Sequence, residues 1–538
     1  MTLVSQLGLF QLLLVGAGLW LAATITRHLL NRTAHGTKLN GPPRDSWLFG
    51  FSRQIALSLD TGLQFQEWAA KYGPVFDIPV ALGKRRLILS DPKAVNHFYS
   101  MERSVYIKSQ VTRDVIANLF GRGLLWAEGE SHKRQRKALT PAFSNAAIRR
   151  LTSVFYDSAY KLKLYWEASI DNTADGAIID VEHWMNRVAL DSIGIAGFSH
   201  DFRSLDGEYS AVAAAFDSLT FEGGSVLSNF LFILLVGAQL SFLAHLPTER
   251  NRIMGNLRRT ISDIADDLLE KTRREKRTHV TDESADRSVI GLLLKAEDGD
   301  SELHMNETEV IAQVNVLLLA GYETTSISLT WALIELARMP EKQAKLRDEL
   351  IQHGTTDPTW DQLVSALPYL DAVVLEILRL HPPVDQTPRE AIVDDVIPLG
   401  EPITTASGEV VDSIAVTRGT QVTVSISCMN KSEVLWGPTA KEFKPERWLT
   451  LDAEPLRARE IQGHRHLITF LDGPRTCLGK SFALAEFKAA LFVLVRNFTF
   501  EFPDGPETAI GTHRGIIPRP KVAGQPAANV PMKVRRAE

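Results

Sequence analysis

The stretch FLDGPRTCLG, Phe470 to Gly479, decides how this chain is read. It sets one thiol, Cys477, among two glycines, a proline and an arginine. The run that follows, KSFALAEFKAALFVLVRNF, carries the apolar face of a helix. A thiolate is a strong ligand, but it needs electropositive surroundings to stay deprotonated. A helix N-terminus supplies them through free N–H groups and the macrodipole. Gly473 and Gly479 permit close backbone approach and unusual dihedrals. Arg475, two residues upstream, can reach an anion. The pattern suits a metal-bound thiolate beside a carboxylate-bearing cofactor. The plainer alternative is a core cysteine in a helix-entry loop, and Cys428, with no such setting, is read that way.

The rest of the chain narrows the class. Two cysteines in 538 residues cannot build a disulfide framework, so the chain reads as one that folds in a reducing compartment. With 59 Lys and Arg against 64 Asp and Glu, the net charge is −5, and no basic excess points to nucleic acid. Residues 1–26 carry no charged side chain and include LGLFQLLLVGAGLWLAAT, close to the roughly 20 residues that span a bilayer. Arg27, His28, Arg32, His35 and Lys38 follow. This one-sided basic cluster predicts a transmembrane anchor over 1–26 with the body on the cytoplasmic side. A cleaved signal peptide is the alternative, and the missing basic n-region argues against it. Residues 27–50 form a basic, proline-rich linker that includes NGPPRDSWLFG, and 51–538 form the body. No 20–50-residue repeat or Gly/Ser linker divides that body.

Helical periodicity dominates the middle of the chain. β-like pieces occur at Val75 to Ser90 and Thr420 to Ser427. Glu270 to Ser288 reads as a helix end running into a charged surface loop. The uncharged side chains from about 223 to 248 read as a surface that dips into lipid or admits substrate. A core helix pair and a second transmembrane helix are the alternatives.

Three further constellations carry chemistry. In LLLAGYETTSISLTWALIELA, Leu317 to Ala337, an oily helix is interrupted by Glu323 and Thr324. Thr324 lies four residues after Ala320, so its hydroxyl can bond back to that carbonyl. An acid next to a hydroxyl there looks like a proton relay, or else a plain helix kink. Gly321 suggests that something flat and large packs on this face. In LDAVVLEILRLHPPV, Glu376 and Arg379 share a helix face, and Arg447 of FKPERW is a candidate third member of a buried network. In WAEGESHKRQRKALTPAF, His132 and Arg136 stand at i and i+4 on a basic helix, either a solvated face or an anion-binding edge.

Taken together in this order, the motifs resemble the cytochrome P450 superfamily from about Pro42 to about Pro520. Phe-x-x-Gly-x-Arg-x-Cys-x-Gly is matched in full, Ala-Gly-x-Glu-Thr-Thr at Ala320 to Thr325, Glu-x-x-Arg at Glu376 and Arg379, and Pro-Glu-Arg at Pro445 to Arg447. Where many members have tryptophan, this chain has His132. The resemblance implies a mainly α fold with small β-sheets, the cytochrome P450 fold, behind an N-terminal transmembrane helix. It implies haem b (iron protoporphyrin IX) with Cys477 as the axial iron ligand. Phe470 would pack beside the thiolate, and Arg136, Arg389, Arg475 and His132 would bind the propionates. Glu323 and Thr324 would organise water and deliver protons to dioxygen, and Glu376, Arg379 and Arg447 would be structural.

The implied activity is monooxygenation of a lipophilic small molecule with O2. No flavin or ferredoxin segment follows the haem helix in this sequence. Electrons from NADPH would arrive through a separate membrane-bound NADPH–cytochrome P450 reductase, docking on Lys133, Arg134, Lys137 and Lys480. Substrate contacts are expected at Tyr106 to Gly121, Leu219 to Leu246, Val384 to Thr387 and Gly515 to Ile517. The general appearance resembles fungal members acting on terpenoid-like secondary metabolites, with xenobiotic, polycyclic aromatic or fatty-acid oxidation as the alternative. An electron-independent isomerase or dehydratase and a non-catalytic haem-binding membrane protein are the rivals of another class. The expected location is the endoplasmic reticulum membrane, single-pass, with the body cytosolic. The sequons at Asn31, Asn306, Asn430 and Asn497 should then stay unmodified.

Overall fold

The long apolar run around Ala320 becomes the central helix, Glu307–Arg338, and its ends are written in the sequence. Asn306 caps it: the Asn306 side chain accepts from Glu309 N at 2.9 Å, and the Glu309 carboxylate accepts from Asn306 N at 3.2 Å. Pro340 opens the next helix and stops this one. The computed structural model describes residues 36–58, 61–208, 225–278, 288–297, 303–450 and 456–537, with Gly16, Val212 and Ala214 besides. The anchor expected at 1–26 lies, but for Gly16, outside them, as do the Asn31 sequon and most of the charged loop before Ser288.

The helices Val181–Phe198, Glu249–Thr278, Pro368–Leu380 and Lys480–Asn497 pack around the central helix. Most of its residues are buried, so its length and apolarity serve the core. A Cβ on Gly321 would lie 2.6 Å from Cγ1 of Ile193. What packs against Gly321 is therefore the helix Val181–Phe198, and not the flat body that the sequence suggested.

Among the described residues, four small sheets complete the fold. The largest runs in the order Val75–Pro79, Arg85–Leu89, Gln421–Ser425, Gln386–Ala391, Tyr106–Ile107, and its one parallel pair joins Arg85–Leu89 to Gln421–Ser425. Two hairpins, Asp395–Thr404 with Val410–Val416 and Ile510–His513 with Arg519–Val522, stand apart from it. The strand Pro531–Arg536 joins Ala177–Asp180 to Phe498–Glu501.

The described part of the proline-rich segment is pinned to the body. Asp77 N donates to Asn40 O at 3.0 Å, Ala406 N donates to Lys38 O at 2.9 Å, and Leu39 is buried. The uncharged stretch beyond Ser225 forms one helix, Val226–Ala238, ended by Gln239 in the left-handed region (φ 55°), and then a 3-10 turn, Ser241–His245. Thirteen residues rise only about 20 Å, which is short of a bilayer core. Leu235, Leu243 and Ala244 form a small core with Val111, while Val226, Leu227 and Phe242 stay exposed.

Candidate functional site

The cysteine loop is built from its backbone outward. Cys477 N donates to Phe470 O at 2.8 Å and closes the loop. Gly473 has φ +63°, and a Cβ there would stand 2.5 Å from the Tyr99 carbonyl oxygen, so no other residue fits. Gly479 plays a different part from the one expected. Its φ of −86° is ordinary; it is the N-cap of Lys480–Asn497, and its N–H is directed at the Cys477 sulfur. Burial pushes the Cys477 thiol up, while the Gly479 N–H, Arg136 and Lys480 pull it down. Cys477 nevertheless keeps accessible surface, although Phe470 and Phe482 near it in the chain are buried.

A second opening interrupts the core on the central helix. Ala320 is exposed between buried Leu319 and buried Tyr322, and Thr324, one turn on, is half-buried. The Thr324 hydroxyl donates to Ala320 O at 2.7 Å, the back-bond that the spacing predicted. Glu323 is buried and held from the far end of the chain: Arg519 Nε donates to its Oε1 at 3.2 Å. Arg519 also donates to the Tyr322 hydroxyl at 3.0 Å and stands 3.7 Å from Glu182.

Positive charge gathers beside the cysteine loop. Arg475 donates to Ala127 O at 3.0 Å and pairs with Glu128. Glu128 also takes Lys108 Nζ at 3.2 Å. Arg389 pairs with buried Glu102 at 2.7 Å, and its Nε is buried without a hydrogen-bond partner among the described residues. Burial, aided by Arg475 and Arg389 and opposed by Glu128, pulls Lys108 down to about 7. Burial, with Arg475, Lys108 and Arg136, pulls His132 down to about 3. Lys108, Arg136, Arg389 and Arg475 thus share one region, with Arg103 near it, and Glu102 and Glu128 are the carboxylates paired with them among the described residues. His132 is buried and Arg136 half-buried, so this face of the basic helix Gly129–Leu139 is not a solvated one.

The Glu376 network is complete by contrast. Arg379 clasps Glu376 through two bonds of 2.8 Å, Arg447 Nε adds one at 2.9 Å, Trp448 Nε1 one at 3.0 Å and Lys444 N one at 2.9 Å. The spare donors of Arg379 reach the carbonyls of Asn430, Ala440 and Glu442. Burial works against ionisation of Glu376, but the two arginines outweigh it and hold the carboxyl below its usual range. Asn430 Nδ2 donates to Thr469 Oγ1 at 2.9 Å and Thr469 Oγ1 to Leu378 O at 2.8 Å, which ties this network to the residue before Phe470.

Sequence reasoning missed five residues here, Arg519 at Glu323 among them. Lys108, Glu102 and Glu128 join the cluster from separate segments, and no local pattern marks them. Glu486, inside the helix after Cys477, is fully buried next to Thr325 and Ser192, and burial raises its carboxyl well above the ordinary value. Of the cations expected to dock a reductase, Lys133 and Lys137 are exposed, whereas Arg134 is committed to Glu309 at 2.6 Å.

Comparison with known proteins agrees with this arrangement. The Cytochrome P450 family profile matches residues 40–523. The chain is 56% identical to Cytochrome P450 monooxygenase claP of Ampulloclitocybe clavipes over the full length of both, and 56% identical to claO of the same fungus, again over both full lengths. It is 37% identical to Cytochrome P450 monooxygenase 205 of Postia placenta, over 87% of this chain and 86% of that one. With the cysteine loop, the Glu-x-x-Arg clasp and the central helix in place, the chain belongs to the cytochrome P450 family and is a monooxygenase of it.

Proposed function

We propose that this monooxygenase acts on a lipophilic, terpenoid-like secondary metabolite, with Cys477 as the axial ligand of haem b and electrons from NADPH–cytochrome P450 reductase. The observation that carries the site assignment is an accessible thiol beside a buried cation excess. Among the described residues no group of three His, Cys, Asp or Glu side chains could hold a bare metal ion. An iron that brings four ligands of its own and two carboxylates suits one sulfur and surplus guanidinium groups. The orphaned Arg389 Nε is one donor such a carboxylate would satisfy.

The bound haem supplies dioxygen activation; the side chains do the rest. Cys477 would hold the iron, with the Gly479 N–H, Arg136 and Lys480 favouring its anionic sulfur against burial. Arg136, Arg389, Arg475 and His132, joined by Lys108, bind and orient the propionates. Phe470 packs beside the sulfur. Thr324, tethered to Ala320 O, accepts and passes a proton at Oγ1. Arg519 fixes the Glu323 carboxylate, which would take up a proton from water and pass it on towards Thr324. Glu376, Arg379 and Arg447 brace the loop and take no part in the chemistry.

Residues 1–26 anchor the enzyme in the endoplasmic reticulum membrane with its body in the cytosol. Exposed Trp47, Val226, Leu227 and Phe242 support lipid contact. Lys133, Lys137 and Lys480 remain the docking cations for the reductase, without Arg134.

The test is spectral and chemical. The purified protein should show the red-shifted carbon-monoxide band of thiolate-ligated ferrous haem, and Cys477→Ala should abolish it. Reductase-supported turnover should require NADPH and incorporate one atom of 18O2. A band that survives the substitution rejects Cys477 as ligand, and turnover without O2 and NADPH makes the enzyme an isomerase or dehydratase.

A further inference from the structure

The two acids of the cation cluster beside the cysteine loop are held differently. Glu128 is answered: its Oε1 accepts from Lys108 N and from Lys108 Nζ, each at 3.2 Å, and it pairs with Arg475. Glu102 lacks such support. It sits in the turn after the helix Pro92–Ser100, whose Tyr99 carbonyl abuts Gly473 of the cysteine loop. Its side chain is fully buried, and neither carboxylate oxygen has a hydrogen-bond partner among the described residues. Arg389 Nη2 stands 2.7 Å from Oε1, an ion pair out of line for a hydrogen bond.

Arg389 has one edge left to offer. Its Nη1 donates to Pro388 O at 2.8 Å, and its Nε has no acceptor among the described residues. A guanidinium presents its Nε and Nη2 hydrogens to a carboxylate as a parallel pair. A carboxylate that takes this edge must take Nη2 over from Glu102. Burial works against ionisation of Glu102, and Arg389, Arg475 and Lys108 are the charges that oppose burial; Tyr99, itself near Asp472, is the other titratable group that faces it. Once Arg389 is engaged elsewhere, burial favours the neutral acid.

We propose that Glu102 is a cofactor-positioning residue: it yields Arg389 to a haem carboxylate, takes one proton from water and donates the new O–H to that same carboxylate. The proposal rests on the haem assignment made above. One carboxylate enters and one is neutralised, so the exchange leaves the local charge unchanged. A buried acid with two unbonded oxygens thereby gains the hydrogen bond it lacks.

The experiment uses the full chain, prepared haem-free and reloaded with haemin. Protons exchanged on loading are counted by calorimetry in buffers of different ionisation enthalpy. The wild type should take up about one proton more than Glu102→Gln, whose amide donates a hydrogen bond without titrating. The proton lost by the Cys477 thiol is common to both and cancels. Haem retention, read by transfer to an acceptor protein, should stay within about threefold of wild type in Glu102→Gln and fall about tenfold in Glu102→Leu, which has no donor. The infrared difference between loaded and haem-free wild type should gain a protonated-carboxyl band, and Glu102→Gln should lack it. Equal proton counts, equal retention by the Gln and Leu variants, or a wild type without the band overturns the role. The infrared arm on the wild type needs no variant to fold. A reloaded wild type without the red-shifted carbon-monoxide band rejects the haem assignment, whereas that band with equal proton counts rejects Glu102 alone.

Discussion

Around Glu376 every charge is answered. Two arginines, an indole N–H and a backbone N–H meet one carboxylate, and the remaining arginine donors end on carbonyls. Around Arg475 the tally stays open: Lys108, Arg136, Arg389 and Arg475 gather near Glu102 and Glu128, Lys108 is pulled down to about 7, and a guanidinium nitrogen of Arg389 has no acceptor among the described residues. Both regions are buried and both are rich in arginine. The difference separates scaffold from binding site. A closed network gains nothing from a ligand, whereas an open one is completed by an anion of matching shape.

The largest effect expected is on the closed side. Arg379→Ala leaves Glu376 buried with half its clasp and should cost about 3–5 kcal/mol, read as a fall in denaturation midpoint with and without haem. On the open side, Arg475→Gln should weaken haem retention roughly 10–100-fold, measured by transfer of haem to an acceptor protein, and move the midpoint of the haem-free protein much less. Equal midpoint losses for the two variants would erase the distinction between the clusters.

The third effect is a pH slope. The folded pKa of Lys108, about 7, lies below its usual 10.5, so the unfolded chain binds more protons between those values. Stability of the haem-free protein should therefore rise with pH from about 7 to about 10.5. Haem carboxylates would raise Lys108 toward its usual value and flatten that slope, which urea titrations of both forms at several pH values would reveal. The smallest effect belongs to Glu486, a buried acid with no cation to answer it. Its folded pKa is raised, so its contribution is full below pH 4.5 and is lost as pH rises. Glu486→Gln should match the wild type near pH 4 and gain on it above, by at most about 1.4 kcal/mol per pH unit.

What was legible in the sequence was local. The cysteine loop, the Thr324 back-bond and the Glu376–Arg379 pair each sit within ten residues, where spacing fixes geometry. Arg447 was legible because the Pro-Glu-Arg of FKPERW matches a motif of the family. The partners that arrive from a distance left no such mark: Arg519 reaches Glu323 across 196 residues, and Glu128 reaches Arg475 across 347. Gly321 was misread for the same reason, since its neighbour Ile193 belongs to another helix. The strand pairs at 75–89 and 421–425 showed in their β-branched runs. The hairpin 510–522, which carries Arg519, hid behind glycines and prolines.

The chain from Asn430 through Thr469 to Leu378 has a mechanical consequence. It couples the cysteine loop to a braced polar core through one hydroxyl, so Thr469→Val should unseat the loop locally while leaving the scaffold behind it standing.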